Sequence, residues 1–172
     1  MNPVTAILIG AGARGQIYAR YAQEHPEELR IIAVAEPKAD RRALMCPADR
    51  AFSNWEDLLA RPQMADAALI CTLDDMHTEP TLAALKQGYH VLLEKPMSNS
   101  ETECRAIAAA AEEAQRVLSV CHVLRYTPFY RTIKQLIDDG LRLCRKLRMW
   151  ATGTMPTALC GATGAAVNKP AQ

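Results

Sequence analysis

The chain has 172 residues, 49% of them hydrophobic and 5% aromatic, with a formal net charge of +1; this suits one large domain with a sizeable core. A near-neutral balance gives no global ground for a nucleic-acid or membrane partner, and no run of about 18 apolar residues is present to span a bilayer. Six cysteines at 46, 71, 104, 121, 144 and 160 form no C-x-x-C pair, which argues for reduced thiols and against a disulfide framework or a metal site.

The opening "MNPVTAILIGAGARG" lacks the basic start and long apolar stretch of a signal peptide, so the expected location is cytoplasmic. "AILIG" (6–10) reads as a strand covered on both faces, and "GQIYARYAQEH" as the helix after it. Between them lies G-A-G-A-R-G, at the spacing of a dinucleotide-binding turn. Gly10 would make the turn, Gly12 admit a pyrophosphate, and Gly15 pack helix against strand. Ala11, Ala13 and Arg14 complete the loop. The helix would aim its free amides and positive end at the phosphates.

"RIIAVA" (30–35) is the second strand, and Glu36 follows it, 21 residues after Gly15. A carboxylate there accepts hydrogen bonds from an adenosine ribose and repels a 2′-phosphate, which favours NAD over NADP. Arg41 and Arg42, close behind, would instead reward a phosphate. The bland alternative is a solvated Glu36 before Pro37 and an ordinary strand-to-helix turn. Strand, helix and acid in register favour the dinucleotide.

Further on, "NWEDLLAR" reads as a short helix starting after Ser53. "AALIC" (67–71) and "HVLLE" (90–94) are strands flanking the helix "TEPTLAALKQG", which Gly88 stops. "SETECRAIAAAAEEAQ" opens with Ser100 and Glu103 at the spacing of a capping box. "VLSVCHV" (117–123) is the last strand, with Cys71 and Cys121 read as small core residues. "TPFYRTIKQLIDDG" places Pro128 in a first turn and Gly140 past the end. The alternation predicts an α/β fold, a doubly wound parallel sheet.

Residues 68–107, and above all "GYHVLLEKP" at 88–96, resemble the N-terminal, Rossmann-like domain of the Gfo/Idh/MocA oxidoreductases. The resemblance covers about residues 4–140. It implies a nicotinamide cofactor across the strand ends, with Thr72 and Leu73 offering backbone and His77 near the dinucleotide. Glu94 would approach the nicotinamide ribose. Lys95 would approach both nicotinamide and substrate, as the catalytic candidate; a cation there stabilises negative charge on oxygen. Read alone, His77 is an exposed helix-cap residue and Lys95 a solvated surface charge. His122, Arg125 and Tyr126 correspond to a region bordering the substrate pocket; read alone, Arg125 pairs with a carboxylate and Tyr126 packs at a domain edge. Intact relatives are expected to be homo-oligomers.

Three segments are expected: a dinucleotide-binding domain over 1–125, a helix leading onward over 126–140, and an irregular basic tail over 141–172. Family members continue into a substrate domain with a catalytic histidine. Here all four histidines (25, 77, 90, 122) precede residue 123 and no acid follows Asp139, so that second domain is expected to be missing. The tail holds five basic residues and no acid, and reads as disordered or frame-shifted. Regrouped from the last base of each codon, "MWATGTMPTALCGATGAA" permits "NVGYWHYAHSFVRGNWRR", which resembles the start of that second domain. A one-base slip soon after Gly140 is the expectation; sequencing codons 135 to 172 tests it, and third bases that cannot spell the shifted string reject it. The leading functional reading is the NAD-binding domain of an oxidoreductase acting on a secondary alcohol of a sugar, cyclitol or related polyol, with substrate bound only if the second domain is restored. The alternatives are a non-catalytic NAD-binding or interaction module and a non-functional fragment.

Overall fold

The computed structural model describes residues 2–140, so the expected tail at 141–172 lies outside the described residues. The chain divides into two units, Met1–His122 and Val123–Gln172.

The first unit is built on six parallel strands: β1 (Val4–Ile9), β2 (Leu29–Ala35), β3 (Ala51–Phe52), β4 (Ala67–Ile70), β5 (His90–Leu93) and β6 (Leu118–Val120). They lie in the order β3-β2-β1-β4-β5-β6, every neighbouring pair parallel. The chain steps outward from β1 to β3, then returns to place β4 on the other side of β1. Connections on the two sides of β1 therefore diverge, which opens a crevice at the carboxyl ends of β1 and β4.

Continuous apolar runs make the central strands, because both faces of the sheet are covered. Ala6 to Ile9 are at most 1% exposed. Successive side chains point to opposite faces, so Ile7, Ile9, Ala33, Ile70 and Leu93 enter one core and Ala6, Leu8, Val34, Leu69 and Cys71 the other. The first core takes Leu58 of α3 (Trp55–Leu59), Leu85 of α4 (Thr78–Gln87) and Ile107 of α5 (Glu101–Glu113). Tyr18 of α1 (Ala13–Glu24) packs on the second. Helices on both faces are the doubly wound arrangement expected.

All five expected strands are present. β3 went unseen because two residues carry no period, and the five-residue α2 (Ala39–Ala43) because it buries none of its side chains. Asn54 caps α3, its side chain accepting from the Asp57 amide at 2.7 Å. Gly88 ends α4 at φ 96°, a conformation that other residues rarely adopt.

The expected capping box forms only in part. Ser100 accepts from the Glu103 amide at a long 3.5 Å, while the Glu103 carboxylate turns away to the hydroxyls of Thr78 (2.8 Å) and Ser98. The Ser100 amide donates to Ser98 Oγ instead, at 3.1 Å. Two hydroxyl donors outcompete one amide, and Glu103 thereby ties the start of α4 to the loop after β5. The last strand is also shorter than expected. Its sheet hydrogen bonds end as the Cys121 amide donates to the Leu93 carbonyl at 2.8 Å. Cys71 is buried as expected, but Cys121 stands past the strand and is only half-buried, so it is not a core residue.

The second unit, described by itself, begins with a 3-10 turn over Val123–Tyr126 and continues as α6 (Pro128–Asp138). Thr127 is its N-cap, Pro128 opens its first turn and Gly140 follows its end at φ 93°. Among the described residues no helix is long and apolar enough to cross a membrane.

Candidate functional site

The three glycines of the loop after β1 answer to three different demands. Gly10 has φ 93°, and a Cβ there would lie 2.5 Å from the Cys71 carbonyl oxygen. Its amide is tied to the Ala35 carbonyl at 2.8 Å, which docks the turn against the end of β2. Gly15 would bring a Cβ within 2.1 Å of the Gly10 carbonyl oxygen. Gly12 differs from both. Its φ of −69° suits any residue, and the nearest atom to an added Cβ is the Arg41 guanidinium at 3.9 Å. The fold does not need glycine at position 12. Gly12 is also the N-cap of α1 and supplies no capping side chain, so amides of the first turn are left for an outside acceptor.

Glu36, after β2, is 5% exposed, which overturns its reading as a solvated residue. The carboxylate accepts from the Ala11 amide at 2.7 Å and the Lys38 amide at 3.1 Å. It is thus fixed beside the glycine loop by backbone donors, with lone pairs to spare on both oxygens. Arg42 is committed to the carbonyls of Glu36 and Pro37. Arg41 is the arginine that leans over the loop.

Glu94 ends β5 and is 4% exposed. Its Oε1 accepts from the Tyr18 hydroxyl at 2.7 Å and from Arg14 Nε at 3.2 Å; Oε2 accepts from the Lys95 amide at 3.3 Å. Burial pushes this carboxyl up, but the hydrogen bond from Tyr18, the Arg14 charge and the Lys95 amide outweigh it and hold it below the usual range. Its contribution to stability is therefore present above the ordinary carboxylate pKa and lost as pH falls through the lowered folded value. Tyr18 was not among the residues singled out from sequence. The available signal was its place four residues after Arg14, on the same helix face.

His77 is 1% exposed rather than an exposed cap. It occupies the N-cap position of α4 with helical backbone angles and makes no capping bond with its side chain. Instead Nδ1 meets the Pro96 carbonyl at 2.7 Å. A carbonyl only accepts, so Nδ1 carries the proton, and Nε2 is buried without a partner among the described residues. Thr81 Oγ holds the His77 carbonyl at 2.6 Å. His77 thus pins the turn that carries Glu94, Lys95 and Pro96. Thr72, after β4, donates from Oγ to the Met76 carbonyl at 3.1 Å, and Leu73 is 70% exposed.

The loop at 10–15, Glu36, Thr72 with Leu73, and Glu94 with Lys95 all follow the carboxyl ends of four adjacent strands, β1, β2, β4 and β5. Lys95 is exposed there. His122 lies past β6 and is exposed. Arg125 and Tyr126 belong to the second unit. Among the described residues Arg125 forms no ion pair, and Tyr126 is 81% exposed rather than packed. The short turn exposes both side chains.

Residues 4–122 match the family described as "Oxidoreductase family, NAD-binding Rossmann fold", Gfo/Idh/MocA. The chain belongs to this family. The proteins it is similar to include inositol 2-dehydrogenase from Klebsiella pneumoniae, 33% identical over 138 residues, covering 77% of this chain and 41% of that protein. Another is scyllo-inositol 2-dehydrogenase (NADP(+)) from Bacillus subtilis, 26% identical over 133 residues, covering 77% and 37%. Among solved structures, the inositol dehydrogenase homolog from Azotobacter vinelandii, complexed with NADH and myo-inositol, matches with a TM-score of 0.69 at 24% identity, covering 81% of this chain and 40% of that one. The chain therefore spans about two fifths of the length of these proteins, and its own residues 4–122 are the part that matches the NAD-binding Rossmann family.

Proposed function

We propose that the residues gathered at the carboxyl ends of β1, β2, β4 and β5 hold a nicotinamide dinucleotide, NAD in preference to NADP. The observation that carries this reading is the space over Gly12, where the fold tolerates a Cβ but the chain has none. Pyrophosphate oxygens accept from the free amides at the start of α1, and Glu36 accepts from the adenosine ribose hydroxyls. Glu36 repels a 2′-phosphate, and Arg42, bound to two carbonyls, offers it little. Glu94 accepts from the nicotinamide ribose, with Thr72, Leu73 and His77 lining the far side. When bound, the dinucleotide supplies or accepts hydride.

Lys95 is the catalytic candidate, its ammonium stabilising negative charge on the substrate oxygen. The whole protein would act on a secondary alcohol of a polyol, sugar or cyclitol, with His122 near the substrate. Residues 1–125 form the cofactor domain in this reading, and 126–140 lead onward from it.

Titration with NADH and NADPH, followed by nicotinamide fluorescence, tests the proposal. The wild-type chain is expected to bind NADH more tightly. Glu36→Ala is expected to weaken NADH by about tenfold, since hydrogen bonds to a charged group contribute about 1.5–3 kcal/mol, and to narrow or reverse the preference. Equal losses for the two dinucleotides would remove Glu36 as the selector. A wild-type chain that binds neither would remove the site.

A further inference from the structure

The side chains behind Glu94 have no part in the cofactor contacts assigned above. They lie within the first unit and come from three places: Arg14 and Tyr18 on α1, Cys71 after β4, and Cys121 after β6. Tyr18 has a single hydroxyl hydrogen, and it goes to Glu94 Oε1 at 2.7 Å. The Tyr18 oxygen also meets Cys121 Sγ. With the phenol hydrogen spent on Glu94, the thiol must be the donor in that contact. The result is a directed chain: Cys121 S–H donates to the Tyr18 oxygen, and Tyr18 O–H donates to the carboxylate. Arg14 adds a second, charged donor to the same oxygen at 3.2 Å.

From this geometry we infer that Tyr18, backed by Cys121, is a positioning residue for Glu94, holding its carboxylate charged and turned so that Oε2 keeps an acceptor site for the nicotinamide ribose. This rests on the dinucleotide reading of the site. The chemistry is one-sided: Oε1 is saturated by Tyr18 and Arg14, while Oε2 has one amide donor and room for another. A freely rotating carboxylate would present either oxygen to the ligand. Here rotation would break the bonds to Tyr18 and Arg14 together.

The donors are durable. Burial lifts the Tyr18 phenol far above its ordinary range, and the bond it donates to the Glu94 carboxylate adds to the rise. Burial also raises the Cys121 thiol. Neither group deprotonates near neutral pH, so the chain keeps its direction. The charged and titratable groups facing Glu94 are Arg14 and Tyr18 from α1, Cys71 from the end of β4 and Cys121 from the end of β6; of these only Arg14 is charged near neutral pH.

The test is Tyr18→Phe in the full chain, which keeps the ring and removes the donor. Two readouts are needed: carbon NMR titration of labelled glutamate side chains, with Glu94→Gln assigning the resonance, and NADH affinity by fluorescence across the acid range. In Tyr18→Phe the Glu94 carboxyl is expected to titrate at higher pH, and the acid limb of NADH binding to move up with it. Affinity at pH 8 is expected to fall by about tenfold, the loss of one hydrogen bond to a charged acceptor. In the Glu94→Gln background the Tyr18→Phe change is expected to shift no acid limb. An unchanged Glu94 titration, or the same shift with Glu94→Gln, overturns the positioning role. If NADH binds at no pH even in wild type, the dinucleotide reading falls first, and this role falls with it.

Discussion

Gly12→Val is expected to lose dinucleotide binding and keep its fold. The backbone at position 12 is extended, and the nearest atom to a new Cβ is the end of a flexible arginine at 3.9 Å. A valine N-cap in place of glycine costs about 1 kcal/mol of helix stability. For a chain of this size that lowers Tm by about 2–4 °C. The ligand suffers far more. The branched side chain fills the space in which pyrophosphate oxygens would meet the first amides of α1. Each such charged hydrogen bond contributes about 1.5–3 kcal/mol, so losing two weakens NADH by about 100-fold or more. Calorimetric binding beside a melting curve separates the two effects. A valine variant that binds NADH as wild type does would mean that Gly12 is only part of a turn.

The same kind of change three residues along is expected to do the opposite. Gly15→Ala sets a methyl group 2.1 Å from the Gly10 carbonyl oxygen and 3.4 Å from a Leu8 methyl. The clashing atom is backbone, held in the turn that docks on Ala35, so no rotamer change relieves it. Either α1 moves off β1 or the turn distorts. Overpacking of this kind costs about 1–3 kcal/mol and sometimes more, and Gly15 sits at the upper end because its neighbour cannot yield. Urea denaturation is expected to show a midpoint lowered in proportion, with little change in slope. A midpoint within error of wild type would show that α1 floats freely over the strand. Taken together, the two variants separate a glycine kept for a ligand from a glycine kept for packing.

Much of the fold was legible because its signals are local. Buried parallel strands need apolar side chains on both faces, and AILIG, RIIAVA and AALIC are continuous for that reason. Gly88 and Asn54 act within their own turns, and both behave as helix boundaries. Where local reasoning failed, a distant partner had won. Glu103 left its own helix end for Thr78 and Ser98. Cys121 sits in an apolar run yet emerges past the strand, because the sheet ends one residue earlier. His77 looked exposed, since a lone histidine before a helix usually is, but the Pro96 carbonyl draws it inside.

The sequence by itself determined which chemistry this chain carries: glycines at dinucleotide spacing, an acid after the second strand, and an E-K-P turn in the Gfo/Idh/MocA pattern. Those are properties of neighbours along the chain, set by backbone freedom and by the pitch of strands and helices. Only the tertiary structure decided that Gly12 alone of the three has room above it, that Glu36 is fixed to the Ala11 amide 25 residues away, and that Tyr18 reaches Glu94 across 76 residues. The reason is physical. A buried carboxylate must find donors to offset its lost hydration, and which donors it finds depends on which strands the sheet sets side by side.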